Sequence, residues 1–221
     1  MYHFDFSVLV VWSHDLLQGI LVTLEISALG VAGGISAGVV GGAIRALRLP
    51  VLNKAVLAYV EFMRNTPPPV QIFFLYFGLP QIGVLLPGFA VAVLSLITWG
   101  AAYSTENFRA GFEAVPQEYR QAARALAMSE WQLLLLVILP IGIRIAFPAL
   151  GNTVISILKN STYMLLISVP ELTFMTMNIL SITYRVIELI LFMSVVYLGL
   201  VGLLSFGLGV VERRLAIPQT T

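Results

Sequence analysis

Residues 16–44 read LLQGILVTLEISALGVAGGISAGVVGGAI, a run of 29 residues whose only charge is Glu25. A helix crosses the hydrocarbon core of a bilayer with about 20 mostly apolar residues. A run this long and this poor in charge therefore reads as a transmembrane helix. Composition extends the inference to the whole chain. Of 221 residues, 59% are hydrophobic and 10% charged, whereas a soluble domain carries roughly 25% charged residues because something must face water. Mean hydropathy is +0.95. The net charge of +1 gives no field that would attract nucleic acid. Met1 to Gln18 contains no Lys or Arg, and a secretory signal needs a basic start and a short apolar core. The first apolar run is expected to stay in the mature protein.

Four further stretches have the length and apolarity to span. They are Ala55 to Leu79, interrupted by Arg64-Asn65-Thr66 and Pro67 to Pro69; Phe89 to Tyr103; Ile143 to Val169, broken by Lys159-Asn160-Ser161-Thr162; and Val186 to Val211. The expected fold is an all-α integral membrane protein of about five transmembrane helices, a single permease-like domain over residues 1–221. Cytoplasmic loops are enriched in Lys and Arg. None of these residues precedes position 45; Arg45, Arg48 and Lys54 follow the first span, Arg109, Arg120, Arg124 and Arg144 surround the gap between the third and fourth, and Arg213 and Arg214 follow the fifth. The N-terminus is thus expected outside and the C-terminus in the cytoplasm. Pro80 to Gly88 reads as a turn, Pro170 to Arg185 as a helix at the outer interface, and Glu113 to Pro140 as a large cytoplasmic insert with helical composition.

Gly30, Gly34, Gly38 and Gly42 recur at every fourth position and so form one ridge of the first span. Small residues at this spacing let membrane helices approach closely, either within the chain or between two chains. Gly34-Ile35-Ser36-Ala37-Gly38 matches a hydrolase nucleophile elbow, but the motif needs a strand-to-helix turn and a histidine base. His3 and His14, the only histidines, both precede the span, and the match is fortuitous. Nor do they provide axial haem ligands inside a bundle. Cysteine is absent, which removes disulfides and thiolate chemistry. There is no Gly-rich loop ending in Gly-Lys-Ser/Thr, so no P-loop nucleotide site. A motor, if transport is powered, is another subunit.

The insert reads Glu118-Tyr119-Arg120-Gln121-Ala122-Ala123-Arg124-Ala125-Leu126-Ala127-Met128, continues through Ser129-Glu130-Trp131-Gln132, and closes on Val137-Ile138-Leu139-Pro140. It resembles the coupling loop of ABC importer permeases: EAA, three residues, Gly, nine residues, Ile-x-Leu-Pro. Gln121 stands for Glu, Ala127 for Gly and Val137 for Ile; Ala127 narrows the backbone freedom of the turn. Ala122, Ala123 and Ala127 suggest a small-residue face that fits a groove on a partner. Arg120 and Arg124, one turn apart, can offer charge-assisted hydrogen bonds or serve only as inside-positive charge. The run Glu61 to Pro80, with Arg64, Thr66-Pro67, Val70-Gln71 and Phe77-Gly78-Leu79-Pro80, resembles the second-span signature of polar amino acid permeases. Pro148 with Asn152, Leu158-Lys159, and Val169-Pro170-Glu171-Leu172-Thr173 extend the likeness over Gly19 to Arg214.

Ionisable residues within spans are costly and therefore functional candidates. Glu61 and Arg64, three apart, are expected to pair with each other near the inner interface, and Glu106 is expected to be structural. Glu25 receives no role. Lys159, Asn160, Ser161 and Thr162 interrupt the fourth span about midway. Transporters use such breaks to hold substrate, with Lys159 suited to a carboxylate and its neighbours to adaptable hydrogen bonds. A hinge that never touches substrate is the alternative. Family members often carry Asp where Asn160 stands, so recognition of a cationic side chain is in doubt.

The resemblance implies an importer half-channel with no catalytic residue and no cofactor in this chain, ATP and Mg being bound by a partner ATPase. It implies a cytoplasmic ABC ATPase docked on Glu113 to Pro140, a second permease (identical or a sister), an external solute-binding protein, and alternating access for amino acids across the bacterial inner membrane. An ATPase-independent solute or ion channel is the rival; it accounts for hydrophobicity but not for the insert. A membrane-embedded enzyme lacks His, Cys and paired acids at depth.

Overall fold

In the computed structural model, which describes residues 3–215, every regular element is helical. They are α1 (Ser7–Val11), α2 (Ser13–Ala46), α3 (Pro50–Asn65), α4 (Pro68–Phe73), α5 (Gly88–Glu113), α6 (Gln117–Ala125), α7 (Glu130–Leu133), α8 (Leu139–Asn160), α9 (Leu172–Thr183) and α10 (Val186–Leu215). Leu134–Ile138 is a π-helical link between α7 and α8, so the winding runs without interruption from Glu130 and passes beyond α8 as 3₁₀ turns over Ser161–Ile167.

Among the described residues, four helical segments are long and apolar enough to cross a membrane: Ser13–Ala46, Gly88–Glu113, Glu130–Ile167 and Val186–Leu215. The second expected span is not one helix. Thr66 is extended (φ −103°, ψ 132°) and Pro67 likewise has ψ 136°, because a residue before proline is pushed out of the helical region and proline has no N–H to continue the ladder. Winding resumes at Pro68, where a missing N–H at the first turn costs nothing. The fourth span begins at Glu130 rather than Ile143: the second half of the expected insert is already helix. Lys159 to Thr162 does not unwind it either. The α-helix tightens to 3₁₀ at Ser161, whose Oγ donates to the Leu158 carbonyl (2.7 Å), as Thr162 Oγ1 does to that of Lys159 (2.8 Å).

The chain forms two compact units. The first comprises the described residues of Met1–Val31, Pro67–Leu96 and Ile155–Leu204. Its core joins Val8, Leu16, Leu172, Ile179 and Leu189. Leu172 donates its N–H to Thr23 Oγ1 (3.0 Å), beside Gly19, where a Cβ would meet the Leu172 backbone at 3.0 Å. The N-terminal segment is tied to α10 by Arg185, which donates to the His3 carbonyl (2.8 Å) and faces Asp5 Oδ2 (3.4 Å), and by Glu188, which accepts the Asp5 N–H (2.8 Å).

The second unit comprises Ala32–Thr66, Ile97–Val154 and the described residues of Ser205–Thr221. Here the glycine ridge of α2 lies on α5: a Cβ on Gly34 would sit 3.2 Å from the Gly100 backbone, one on Gly38 would collide with Ser104, and one on Gly42 with Phe108. Gly30, in the first unit, likewise abuts Leu96. Of the two uses of such a ridge, packing within the chain is the one realised. Phe108, Phe112, Val115, Leu133, Leu134 and Ile138 form the core under the insert.

Candidate functional site

The insert follows from its capping residues. Pro116 opens α6, and Ser129 opens α7 with a reciprocal capping box: Gln132 N–H donates to Ser129 Oγ, and Ser129 N–H to Gln132 Oε1. This satisfies two orphan donors of the new helix. Between them Ala127 adopts a left-handed conformation, φ 54°, with its N–H on the Arg124 carbonyl and Met128 N–H on that of Ala123. This is the position at which the resembled motif carries Gly, and for an alanine the conformation costs about 1–2 kcal/mol.

Glu118, Gln121, Ala122, Arg124 and Ala127 are exposed, together with Tyr119 and Leu126. Two expected docking residues face the other way. Ala123 is 3% exposed and packs into the core with Phe112 and Leu133, so it belongs to the inner face of the amphipathic α6 rather than to its presented one. Arg120 is half-buried and donates to the carbonyls of Phe112 (2.5 Å) and Val115 (3.4 Å); it fastens α6 to the end of α5. Arg124 pairs loosely with Glu130 (3.5 Å). Leu139 is partly buried and Pro140 exposed at the start of α8.

Lys159, Asn160 and Thr162 line one cleft of about 650 Å³ with Tyr163 and, from α10, Ser194 and Tyr197. Ser161 is fully buried and does not line it. Asn160 Nδ2 is buried without a hydrogen-bond partner, and leaving such a donor unmet costs about 1–3 kcal/mol. Ser194 and Tyr197 carry no sequence signal of this role, being ordinary residues of an apolar helix. Tyr197 hydroxyl donates to Glu171 Oε2 (3.1 Å) and contacts Thr173 Oγ1 (3.0 Å). Glu171 itself caps α9, accepting the N–H groups of Thr173 and Phe174 at 2.8 Å each. Burial pushes its carboxyl above the usual carboxylate range, opposed by these hydrogen bonds.

Glu61 and Arg64 do not pair. Arg64 turns instead toward Glu106, at 3.9 Å, and lies over the Tyr103 ring at 5.3 Å. Glu106 also faces Arg109 (2.9 Å) and Arg45 (3.6 Å), and Arg109 pairs with Glu113 (2.6 Å). The expected structural role of Glu106 thus takes the form of one carboxylate shared among three arginines. No group of three His, Asp or Glu side chains among the described residues is placed to hold a metal ion.

Long apolar helices, a largely apolar cleft edged by polar side chains beside one of them, and an amphipathic insert define a membrane-embedded transport component. Residues 30–217 match the family described as binding-protein-dependent transport system inner membrane component, and the chain belongs to that family. It is 34% identical over 216 residues to the glutamine transport system permease protein GlnP of Escherichia coli (strain K12), covering 97% of this chain and 99% of the relative. It is 33% identical over 199 residues to the probable glutamine ABC transporter permease protein GlnM of Bacillus subtilis (strain 168), covering 90% and 92%. Among solved structures, an amino acid ABC transporter described "with histidines" superposes with a TM-score of 0.88 at 31% identity, covering 96% of this chain and all of that one. The MetNI methionine ABC transporter, in an inward-facing form, shares the fold (TM-score 0.81, 19% identity, 93% and 98% covered). The chain is thus a multi-pass inner-membrane permease subunit of an ABC importer and not an enzyme. ATP hydrolysis belongs to a partner ATPase.

Proposed function

We propose that this chain carries amino acids past the cleft of Lys159, Asn160 and Thr162, and that a cytoplasmic ABC ATPase docks on the exposed face of α6 and the turn after it. A second permease completes the path, an external binding protein delivers solute, and the broken α3–α4 stretch supplies the fifth crossing. The gathering of Lys159, Asn160 and Thr162 on one cleft carries the proposal: the Lys159 ammonium offers an anion both charge and hydrogen bonds. Tyr163, Tyr197, Ser194 and Thr162 supply hydroxyls for the remaining polar groups of an amino acid. A channel that needs no ATPase has no use for the insert. The hinge alternative retains one supporting observation, the change from α to 3₁₀ winding at Ser161, since such changes often mark hinges.

Lys159→Met separates the two. If Lys159 meets the substrate carboxylate, the variant keeps the complex and its basal ATP hydrolysis while uptake falls by about tenfold or more, the loss of one charge-assisted hydrogen bond. Lys159→Arg retains part of the activity because charge survives with altered geometry. Uptake kinetics unchanged in Lys159→Met would leave only the hinge.

A further inference from the structure

The unit that holds the insert contains a second cleft, a polar one of about 350 Å³, bordered by Leu57, Val60, Glu61, Arg64, Tyr103 and Glu106. Its charges are unspent in a particular way. The Glu61 carboxylate makes no hydrogen bond or ion pair among the described residues, although Arg64 lies one turn further along α3. Arg64 is 45% exposed, and its nearest carboxylate oxygen, on Glu106, lies at 3.9 Å, beyond hydrogen-bond reach. Glu106 is already engaged more closely by Arg109 and Arg45. Arg64 is held in place with only this loose share of Glu106: its guanidinium lies over Tyr103, whose ring is stacked on Trp99 at 4.2 Å.

We infer that this cleft is a second binding place for the head group of a zwitterionic α-amino acid, with Arg64 receiving the carboxylate and Glu61 the ammonium. A guanidinium grips a carboxylate through two parallel donors, and a carboxylate with no partner is the natural acceptor for a primary ammonium. Side chains three apart on a helix are neighbours, which suits the short separation of the two charges in an amino acid. The volume lies at the small end of ligand clefts, sufficient for the head group and a short side chain. The site recognises what all α-amino acids share and so adds passage rather than selectivity. It rests on the amino acid permease assignment proposed above.

The chain has no native cysteine, so single thiols report each cleft separately. Leu57→Cys borders the second cleft and Leu198→Cys the first. In the assembled transporter, purified through a tag on this chain, the alkylation rate of each is measured with L-glutamine, L-histidine or L-arginine as separate probes, and with the deaminated analogue of glutamine. At least one amino acid should slow alkylation of Leu57→Cys, and the analogue lacking the ammonium should not. Adding Arg64→Gln or Glu61→Gln should raise the half-protecting concentration about ten- to a hundredfold, with Arg64→Lys intermediate, while protection of Leu198→Cys is unchanged. Protection at Leu198 with none at Leu57 overturns the second site and leaves the proposed function standing. Protection at neither position overturns both. A Leu57→Cys thiol that no reagent reaches in the complex marks a face covered by another subunit, and also overturns the second site.

Discussion

Replacing Gly38 by alanine adds one methyl group to the ridge along which α2 meets α5. The new Cβ would collide with Ser104 Cβ and lie 3.1 Å and 3.2 Å from the Ser104 carbonyl carbon and Cα. Backbone atoms cannot rotate aside, so the helices must separate, loosening the neighbouring contacts of Gly34 and Gly42. Overpacking of this kind costs about 1–3 kcal/mol. Alanine returns about 1 kcal/mol through its better helix propensity, leaving a net loss of about 0–2 kcal/mol. For a chain of this size each kcal/mol moves the midpoint about 2–4 °C, so thermal unfolding in detergent should shift down by up to about 8 °C. Gly207→Ala is the internal control, because nothing lies within 4 Å of its added Cβ; it should be neutral or slightly stabilising. If Gly38→Ala melts with or above Gly207→Ala, the α2–α5 approach is not as tight as described, and the ridge packs against something else.

Ala127→Gly should raise the midpoint by about 2–4 °C, since relief of a left-handed alanine outweighs the added freedom of glycine in the unfolded chain; no gain would mean the turn is unstrained. Ala122→Arg should leave that midpoint in place and reduce co-purification of the ATPase, whereas Ala123→Arg should deplete folded protein by burying an unpaired charge worth about 3–5 kcal/mol. Equal behaviour of the two variants would contradict the facing of α6. Glu171 and Asp5 should act oppositely on the pH dependence of stability. Glu171, held up by burial, binds its proton more tightly in the fold, so its contribution is lost as pH rises through the folded value. Asp5, held down by the hydroxyl and N–H of Ser7, contributes above the ordinary carboxylate range and loses this as pH falls through its lowered value. Glu171→Gln should flatten the first trend and Asp5→Asn the second, as read by melting across pH 3 to 8; an unaltered profile in either variant removes that group from the account.

Local rules carried much of the fold. Apolar run length located the long helices, proline placed the break at Thr66, and the fourfold glycine spacing marked a contact face. Each depends on neighbours in sequence. What the sequence did not disclose depends on residues brought from afar. The i,i+3 spacing of Glu61 and Arg64 suits a pair, but Glu106 from α5 draws Arg64 away. Three alanines of the insert, Ala122, Ala123 and Ala127, looked equivalent until the core claimed Ala123 and the turn after α6 took Ala127. Lys159 and Asn160 stood out because polar residues within an apolar run are conspicuous; their cleft partners on α10 were invisible, a lone serine or tyrosine in such a helix being unremarkable. Arg120, legible as a charge, is spent on two backbone carbonyls that only tertiary structure supplies.

The π-helical turn at Leu134–Ile138 holds one residue more than the α-helix it joins would need. Sequence comparison sees there an ordinary stretch of fixed length, yet the helix absorbs the surplus: about five residues of π winding turn through the angle that about four cover in an α-helix. Drop one residue here and the link relaxes to α winding with α6 still aimed as before and Ala123 in its seat. Drop one from the regular turns of α8 instead, and everything before it turns by about 100° around the helix axis. Among descendants of this chain, a single-residue deletion should therefore be tolerated within 134–138 and not in the α-helical stretch that follows.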